Sequence, residues 1–195
     1  MTSFRRTVRR LLAVALCVAQ MPSLGAVSPA FAQERLVAPE RNPPGDIPDN
    51  QVFVPYSSTI GFSLRVPEGW SRTATETSVR FFDKYDLIGA TLGRADAAPT
   101  AASVKSKEVP ALETGGHAIK VTSVKDVRLA VGPAVNISYL ANSEPNAVTN
   151  KLIRLEHERF IVYKDGKMVT LDLAAPAGAD NVDQWQLISN SLRWK

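Results

Sequence analysis

Two histidines, His117 and His157, are the residues of this chain best suited by type to bind a metal or move a proton. The segment His157-Glu158-Arg159-Phe160-Ile161 resembles the start of an H-E-x-x-H zinc motif, but Ile161 stands where the second histidine should be. The segment also has the composition of a strand, on which residues four apart do not pair as they do on a helix. A zinc site needs three or four ligands. We therefore predict no metal site and expect His157 to be a hydrogen-bonded histidine at the edge of the core.

The sequence lacks the motifs of several common enzyme classes. Neither of the glycine-rich phosphate loops, G-x-x-x-x-G-K-[ST] and G-x-G-x-x-G, occurs, and there is no G-x-S-x-G nucleophile elbow. The single cysteine, Cys17, lies in the leader described below, so the mature chain offers no thiolate nucleophile and no disulfide. We predict no catalytic residues, no cofactor and no enzymatic activity.

Three tryptophans and one charged strand are the other candidates for a site. Trp70, Trp185 and Trp194 could line a ligand groove, but their turn and helix-stripe positions favour a role in filling the core. A solvated strand face with cross-strand ion pairs is predicted for four neighbouring charged residues, Arg154, Glu156, Glu158 and Arg159.

The first 32 residues predict a cleavable signal peptide. Arginines occupy four of the first ten positions, an apolar run extends from Leu11 to Ala19, and Ala30-Phe31-Ala32 supplies small residues for cleavage between Ala32 and Gln33. The apolar run is shorter than the roughly 20 residues of a membrane span, which argues against a retained membrane helix. Leu16 in front of Cys17 argues against a lipid anchor. We therefore expect an extracytoplasmic protein, periplasmic or secreted, with no membrane span after cleavage.

Removal of this leader changes the charge balance. The full chain has 23 basic and 19 acidic side chains, and four of the basic ones lie in the leader, so the mature chain has 19 of each. A formally neutral chain of one-domain length does not indicate a nucleic-acid partner.

The remaining sequence divides into residues 33–50, a proline-rich stretch predicted to be a flexible tether, and residues 51–195, predicted to be one folded domain. Asp165-Gly166 lies between two β-rich runs and predicts a type I′ hairpin turn. Alternating or β-rich patterns predict strands at Val52–Val54, Ile60–Val66, Val79–Asp83, Leu87–Leu92, His117–Leu129 (with a bulge or bend), Ala134–Ala141, Lys151–Tyr163 and Met168–Ala174.

Two helices complete the prediction. The stretch Pro99–Gly116 has helical composition, and Pro110 should kink or interrupt it. Its surface should carry Lys105, Lys107 and Glu108. The second helix should begin at Asp180 or Asn181, with an apolar stripe formed by Val182, Trp185, Ile188, Ser189 and Leu192. This order predicts an α+β fold in which a central, mostly antiparallel β-sheet is flanked by helices.

The ordered motifs resemble those of the PsbP-like group. Ile60–Trp70 is similar to the G-F-S-L-x-V-P-x-x-W start of that group, and Val79–Asp83, the hairpin at Lys164–Lys167 and the ending Ser191–Trp194 follow in the same order. The group includes the extrinsic PsbP proteins of photosystem II, the Mog1-type fold and secreted LpqN-type lipoproteins. The resemblance covers about Phe53 to Trp194. It implies an α/β/α sandwich, no enzymatic activity, and a role as a binding or assembly module.

Three functional hypotheses follow. The first is an exported, non-catalytic binding or assembly module that acts on an unidentified envelope or extracellular partner. The second is a small-ligand or metal-ion carrier that uses a cavity beside the sheet, with His117 and His157 as ligands. The third is a hydrolase built on Ser, Asp and His, which requires one histidine to lie within hydrogen-bond distance of a serine.

Overall fold

The structure, a computed structural model, describes residues 34–195. The predicted signal peptide and its cleavage site between Ala32 and Gln33 lie outside the described residues and stay predictions. Among the described residues, no helix combines the length and the apolar character that crossing a membrane requires.

The described chain forms two antiparallel sheets and two helices. The elements, in chain order, are β1 (Phe53–Ser57), β2 (Phe62–Pro67), β3 (Ser71–Ala74), β4 (Ser78–Asp83), β5 (Asp86–Arg94), α1 (Ala101–Thr114), β6 (Lys120–Leu129), β7 (Gly132–Asn142), β8 (Arg154–Lys164), β9 (Lys167–Pro176), α2 (Val182–Ser191) and β10 (Arg193–Trp194). The larger sheet has the strand order β3-β4-β5-β9-β8-β7-β6, and the smaller one has the order β1-β2-β10.

Each face of the seven-stranded sheet is covered by a different layer. On one face, Val104 of α1 packs with Ile137 of β7 and Ile161 of β8 in a compact apolar cluster. On the other face, the larger core joins Phe62 of β2 and Ile188 of α2 to the sheet. The α+β class is therefore confirmed. The predicted sandwich is confirmed only in part, because the second layer combines a small sheet with α2 instead of consisting of helices.

Two local predictions about strand geometry are confirmed. Asp165 and Gly166 have φ values of 49° and 78°, the left-handed backbone that a type I′ turn requires at both positions. The β6–β7 pairing shifts register between Val121 and Ser123, which is the expected bulge.

Of the two effects predicted for Pro110, a kink or an interruption, the interruption does not occur, because α1 extends from Ala101 to Thr114 with the proline inside it. A capping box supports the start of this helix: the Thr100 hydroxyl accepts a bond from the Ser103 N–H at 3.2 Å, and the Ser103 hydroxyl accepts one from the Thr100 N–H at 2.9 Å. The proline is exposed, and Val104 and Leu112 pack on the sheet on either side of it. Packing of the apolar face thus compensates for the backbone bond that Pro110 cannot make.

Two short strands, β3 and β10, were not predicted from the sequence. All four residues of β3 are exposed, so Ser71–Ala74 has no alternating apolar pattern to reveal it. At the C-terminus, Trp194 pairs with Phe62 of β2 as part of β10. On α2 the predicted apolar stripe is also shifted, since Val182 is 59% exposed whereas Gln184 is buried.

Part of the stretch predicted to be a flexible tether lies against the domain. Ile47 is 4% exposed, and its N–H and carbonyl bond the side chains of Asn181 and Gln184 at 2.6 and 3.1 Å. Asn181 is the N-cap residue of α2, yet its side chain makes no capping bond to the helix and instead bonds Ile47 and Gly45. The amide side chains of Asn181 and Gln184 thus attach this part of the segment to α2.

Candidate functional site

Strand β8 carries polar side chains on both faces of the large sheet. Side chains alternate along a strand, so His157 and Arg159 lie on the α1 face while Glu156 and Glu158 lie on the opposite face. The two sets have different surroundings, and each is a candidate site.

On the α1 face, three side chains converge on Asp172 of β9, and we call Tyr139, His157, Arg159 and Asp172 the Asp172 cluster. The Arg159 Nη2 donates to Asp172 Oδ2 at 2.8 Å, and the Tyr139 hydroxyl donates to the same oxygen at 2.9 Å. The His157 Nδ1 lies 3.3 Å from Asp172 Oδ1. His157 also stacks on the Tyr139 ring, with centroids 4.3 Å apart and an interplanar angle of 14°.

Strand pairing explains why these four residues meet. Arg159 is paired with Asp172 across β8 and β9, and Tyr139 is paired with His157 across β7 and β8. Side chains of directly paired residues point to the same face of an antiparallel sheet. The cluster is therefore a direct consequence of the register of three neighbouring strands.

The electrostatics of the Asp172 cluster favour a permanent carboxylate. Burial acts to raise the pKa of Asp172, but the hydrogen bond and charge of His157 and the charge of Arg159 outweigh it and hold the pKa at about 2. Burial and the Asp172 charge raise the pKa of Tyr139, so this hydroxyl stays protonated as a donor. In this arrangement the charged carboxylate is satisfied by fixed donors.

The α2 face holds a pocket of about 390 Å³, which we call the α2-face pocket. Two carboxylates and two aromatic rings stand out in its lining. The lining residues are Lys125, Val127, Asn136, Glu156, Glu158, Phe160, Val182, Trp185, Gln186 and Ser189.

Two of the polar groups in the α2-face pocket are fixed by neighbours. The Glu158 carboxylate accepts bonds from Asn136 Nδ2 at 2.5 Å and from the Ser138 hydroxyl at 2.8 Å. Burial, with the charge of Glu158, raises the pKa of Glu156, while a bond from the Gly178 N–H opposes the shift. Two half-buried carboxylates, two residues apart on one strand, thus share the floor of the pocket.

Comparison with known proteins gives a match in structure. No protein-family model matches the chain, and no curated protein matches it in sequence. The solution structure of cyanobacterial PsbP (CyanoP) from Synechocystis sp. PCC 6803 aligns with a TM-score of 0.56 and 14% identity, over 77% of this chain and 98% of that one. This chain has a PsbP-like fold. A protein from Bacteroides thetaiotaomicron aligns with a TM-score of 0.45 and 12% identity, over 69% of this chain and 45% of that one.

The two histidines of this PsbP-like chain have separate environments. His157 belongs to the Asp172 cluster, whereas His117 has a φ of 57° before β6, with Nε2 3.3 Å from Glu144 and Nδ1 3.7 Å from Glu34. Within residues 34–195, no group of three or more His, Cys, Asp or Glu side chains is placed to hold a metal. In the same residues, the hydrogen-bond partners of the two histidine side chains include no serine. The geometric requirement of the hydrolase hypothesis is therefore not met.

The prediction of a solvated charged face on β8 is wrong for Arg154, which is buried, whereas the other three residues are half-buried. Arg159 makes the expected kind of cross-strand ion pair, with Asp172. Arg154 is 1% exposed and donates from Nη1 to the Ala118 carbonyl and to Asn142 Oδ1, at 2.9 and 3.0 Å. Arg159 lies on the face opposite Glu156 and Glu158, which are half-buried in the α2-face pocket. Alternation along the strand separates Arg159 from the other three residues, so the four do not form one charged face.

The remaining candidates divide between core and site. All three tryptophans are partly buried against the larger core, and Trp185 also lines the α2-face pocket. Glu108 is half-buried on α1 and its charge interacts with Arg159, so it is not an ordinary surface residue as expected.

Sequence reasoning missed Asp172, although a signal for it exists. A two-residue turn at Asp165-Gly166 pairs Lys164 with Lys167, and counting outward from that pair places Arg159 opposite Asp172. Tyr139 and Asn136 come from β7, whose connection to β8 is long, so no comparable count reaches them.

Proposed function

We propose that this chain is an exported, non-catalytic binding module with a PsbP-like fold, which acts on an envelope or extracellular partner through the α2 face of its large sheet. The observation that carries the proposal is the α2-face pocket, which opens beside α2 with its carboxylate Glu158 already fixed by Asn136 and Ser138. Val182, 59% exposed on α2, extends the pocket with apolar surface. Binding sites typically combine such apolar walls with a few fixed polar groups.

The α1 face supports the non-catalytic part of this proposal. An Asp–His pair is a common catalytic element, but it acts only when the histidine also contacts a nucleophile or substrate. Here Asp172 is shared with Arg159 and Tyr139, and the His157 ring is stacked on Tyr139. These contacts are those of a structural network that positions three strands.

Crosslinking with mass spectrometry in host cells carrying the tagged full-length precursor tests the proposal. We expect a reproducible envelope component in complex with the wild type and a several-fold weaker signal with the double substitution Glu156→Gln, Glu158→Gln. Glu76→Gln, an exposed position in the β3–β4 turn, removes a carboxylate elsewhere and should leave the signal unchanged. Equal capture by all three proteins would contradict a role for the α2 face.

A second candidate function, a small-ligand carrier, is favoured by the size of the same pocket. Its 390 Å³ lies within the range of about 300–1,000 Å³ that small-molecule sites occupy. Because the two histidines lie in separate environments, the carrier hypothesis now rests on this pocket and not on the histidines. Native mass spectrometry of mature protein released gently from host cells should then show a bound species of small mass. Protein that is empty in repeated preparations and inert in calorimetry would contradict the carrier function.

A further inference from the structure

We propose that the α2-face pocket selects small organic cations, that is, molecules in which a protonated amine is attached to a short apolar body. This inference rests on the carrier function given above and names the ligand class for that site. It is carried by three features of the pocket: its charge, the way its carboxylates are held, and the aromatic side chains that line it.

The pocket lining has more negative than positive charge. Glu156 and Glu158 supply two carboxylates, and Lys125 is the single basic residue of the lining. Lys125 is exposed on β6, whereas both glutamates are half-buried on β8. A buried charge is screened less by water than an exposed one, so the acidic floor dominates the field inside the pocket.

The Glu158 carboxylate is held in an orientation suited to binding a cation. Asn136 is 2% exposed and, together with the Ser138 hydroxyl, orients Glu158 by bonds of 2.5 and 2.8 Å. Glu156 lies about 7 Å away along the strand, with the same side-chain direction. The burial and the neighbouring charge that raise the pKa of Glu156 are both offset when a cation enters between the two groups. An anion would add to the repulsion.

The walls fit the apolar part of such a ligand. Trp185 of α2 and Phe160 of β8 line the same pocket as the two carboxylates. Aromatic faces attract cations, and the interaction strengthens when the cation is desolvated. A neutral molecule of the same shape would gain the apolar contact but not the charge interaction.

Titration calorimetry with three probes of one skeleton tests this inference. Phenethylamine is cationic at pH 7, phenethyl alcohol is neutral and phenylacetate is anionic, so only the charge of the end group changes. We expect the amine to bind at least about tenfold more tightly than the alcohol, and phenylacetate to bind more weakly still. The preference should fall at least fivefold in the double substitution Glu156→Gln, Glu158→Gln and stay intact in Glu76→Gln, with circular dichroism confirming that both variants fold.

The outcomes separate this inference from the carrier function beneath it. Equal binding of amine and alcohol, or an amine preference that survives the double substitution, would overturn the cation assignment while leaving a small-ligand pocket in place. Absence of binding by all three probes, together with native protein that carries no small molecule, would overturn both. An amine preference lost only in the double substitution supports the inference.

Discussion

The two faces of strand β8 use similar residue types for opposite purposes. On the α1 face, Asp172 is enclosed by donors from Tyr139, His157 and Arg159, and α1 covers the apolar surroundings. On the α2 face, Glu156 and Glu158 line an open pocket of about 390 Å³. The difference lies in charge balance: Asp172 has an ion-pair partner and fixed donors, while Glu156 and Glu158 form no ion pair within residues 34–195.

This contrast separates a structural network from a site with capacity to bind. A buried carboxylate whose hydrogen bonds are complete favours one strand register and has little hydrogen-bonding capacity left for a ligand. Carboxylates that are oriented but share uncompensated charge gain when a complementary group arrives. Removing charge should therefore damage the fold on the α1 face and alter binding on the α2 face.

Replacing Asp172 should have the largest effect on stability. Asp172→Asn leaves the guanidinium of Arg159 partly buried without its carboxylate, which should lower the free energy of unfolding by about 3 kcal/mol. Urea denaturation measures the loss. Glu156→Gln is the matched change on the opposite face and should alter stability by less than about 0.5 kcal/mol. Losses of similar size at both positions would break the comparison.

Acid titration should reveal the same carboxylate. The folded pKa of Asp172, about 2, lies below the ordinary value of 3.8, so its contribution is present above about pH 4 and is lost as the pH falls towards 2. Its size is about 2 kcal/mol, from roughly 1.4 kcal/mol per pKa unit. Unfolding curves of wild type and Asp172→Asn should therefore converge between pH 4 and pH 2. Curves that stay parallel over that range would show that Asp172 does not have this lowered pKa.

The hydroxyl of Tyr139 should have an intermediate effect. Tyr139→Phe removes the donor to Asp172 and the acceptor for Arg159, and should cost about 1–2 kcal/mol of stability by chemical denaturation. Tyr163→Phe is the control, because Tyr163 is half-buried on the neighbouring strand β8 and its hydroxyl makes no hydrogen bond within residues 34–195. If both substitutions cost the same, the hydroxyl of Tyr139 has no special role in the cluster.

Much of the fold was predictable from the sequence, but the different roles of the two faces of the large sheet were not. The alternation along β8 correctly placed His157 on the face of the sheet opposite to that of Glu156 and Glu158, and the predicted turn at Asp165-Gly166 is present. The burial of the charged residues on β8 was not predictable, because it depends on the layers that cover both faces of the sheet. The packing of residues 34–50 depends on side chains more than 100 residues away, which no local pattern encodes.

The smallest stability effect should come from Glu156 on the α2 face, and its dependence on pH should be opposite to that of Asp172. The folded pKa of Glu156 is raised, so its contribution is complete at low pH and is lost as the pH rises through the folded pKa. Glu156→Gln should therefore become more stable relative to the wild type as the pH rises above 4.5, the ordinary pKa of a glutamate. The gain should be no more than a few tenths of a kcal/mol, because the side chain is partly solvated. Thermal unfolding from pH 4 to pH 8 measures the trend. A variant that loses stability relative to the wild type over this range would contradict the raised pKa.

Site-specific photocrosslinking in host cells tests most directly whether binding belongs to the α2 face. A photoreactive residue at Val182 samples the α2-face pocket, and one at Lys107 samples the exposed surface of α1. We predict a discrete crosslinked partner from position 182, weakened by the double substitution Glu156→Gln, Glu158→Gln, and none from position 107. A partner captured from position 107 and not from position 182 would show that the wrong face has been assigned.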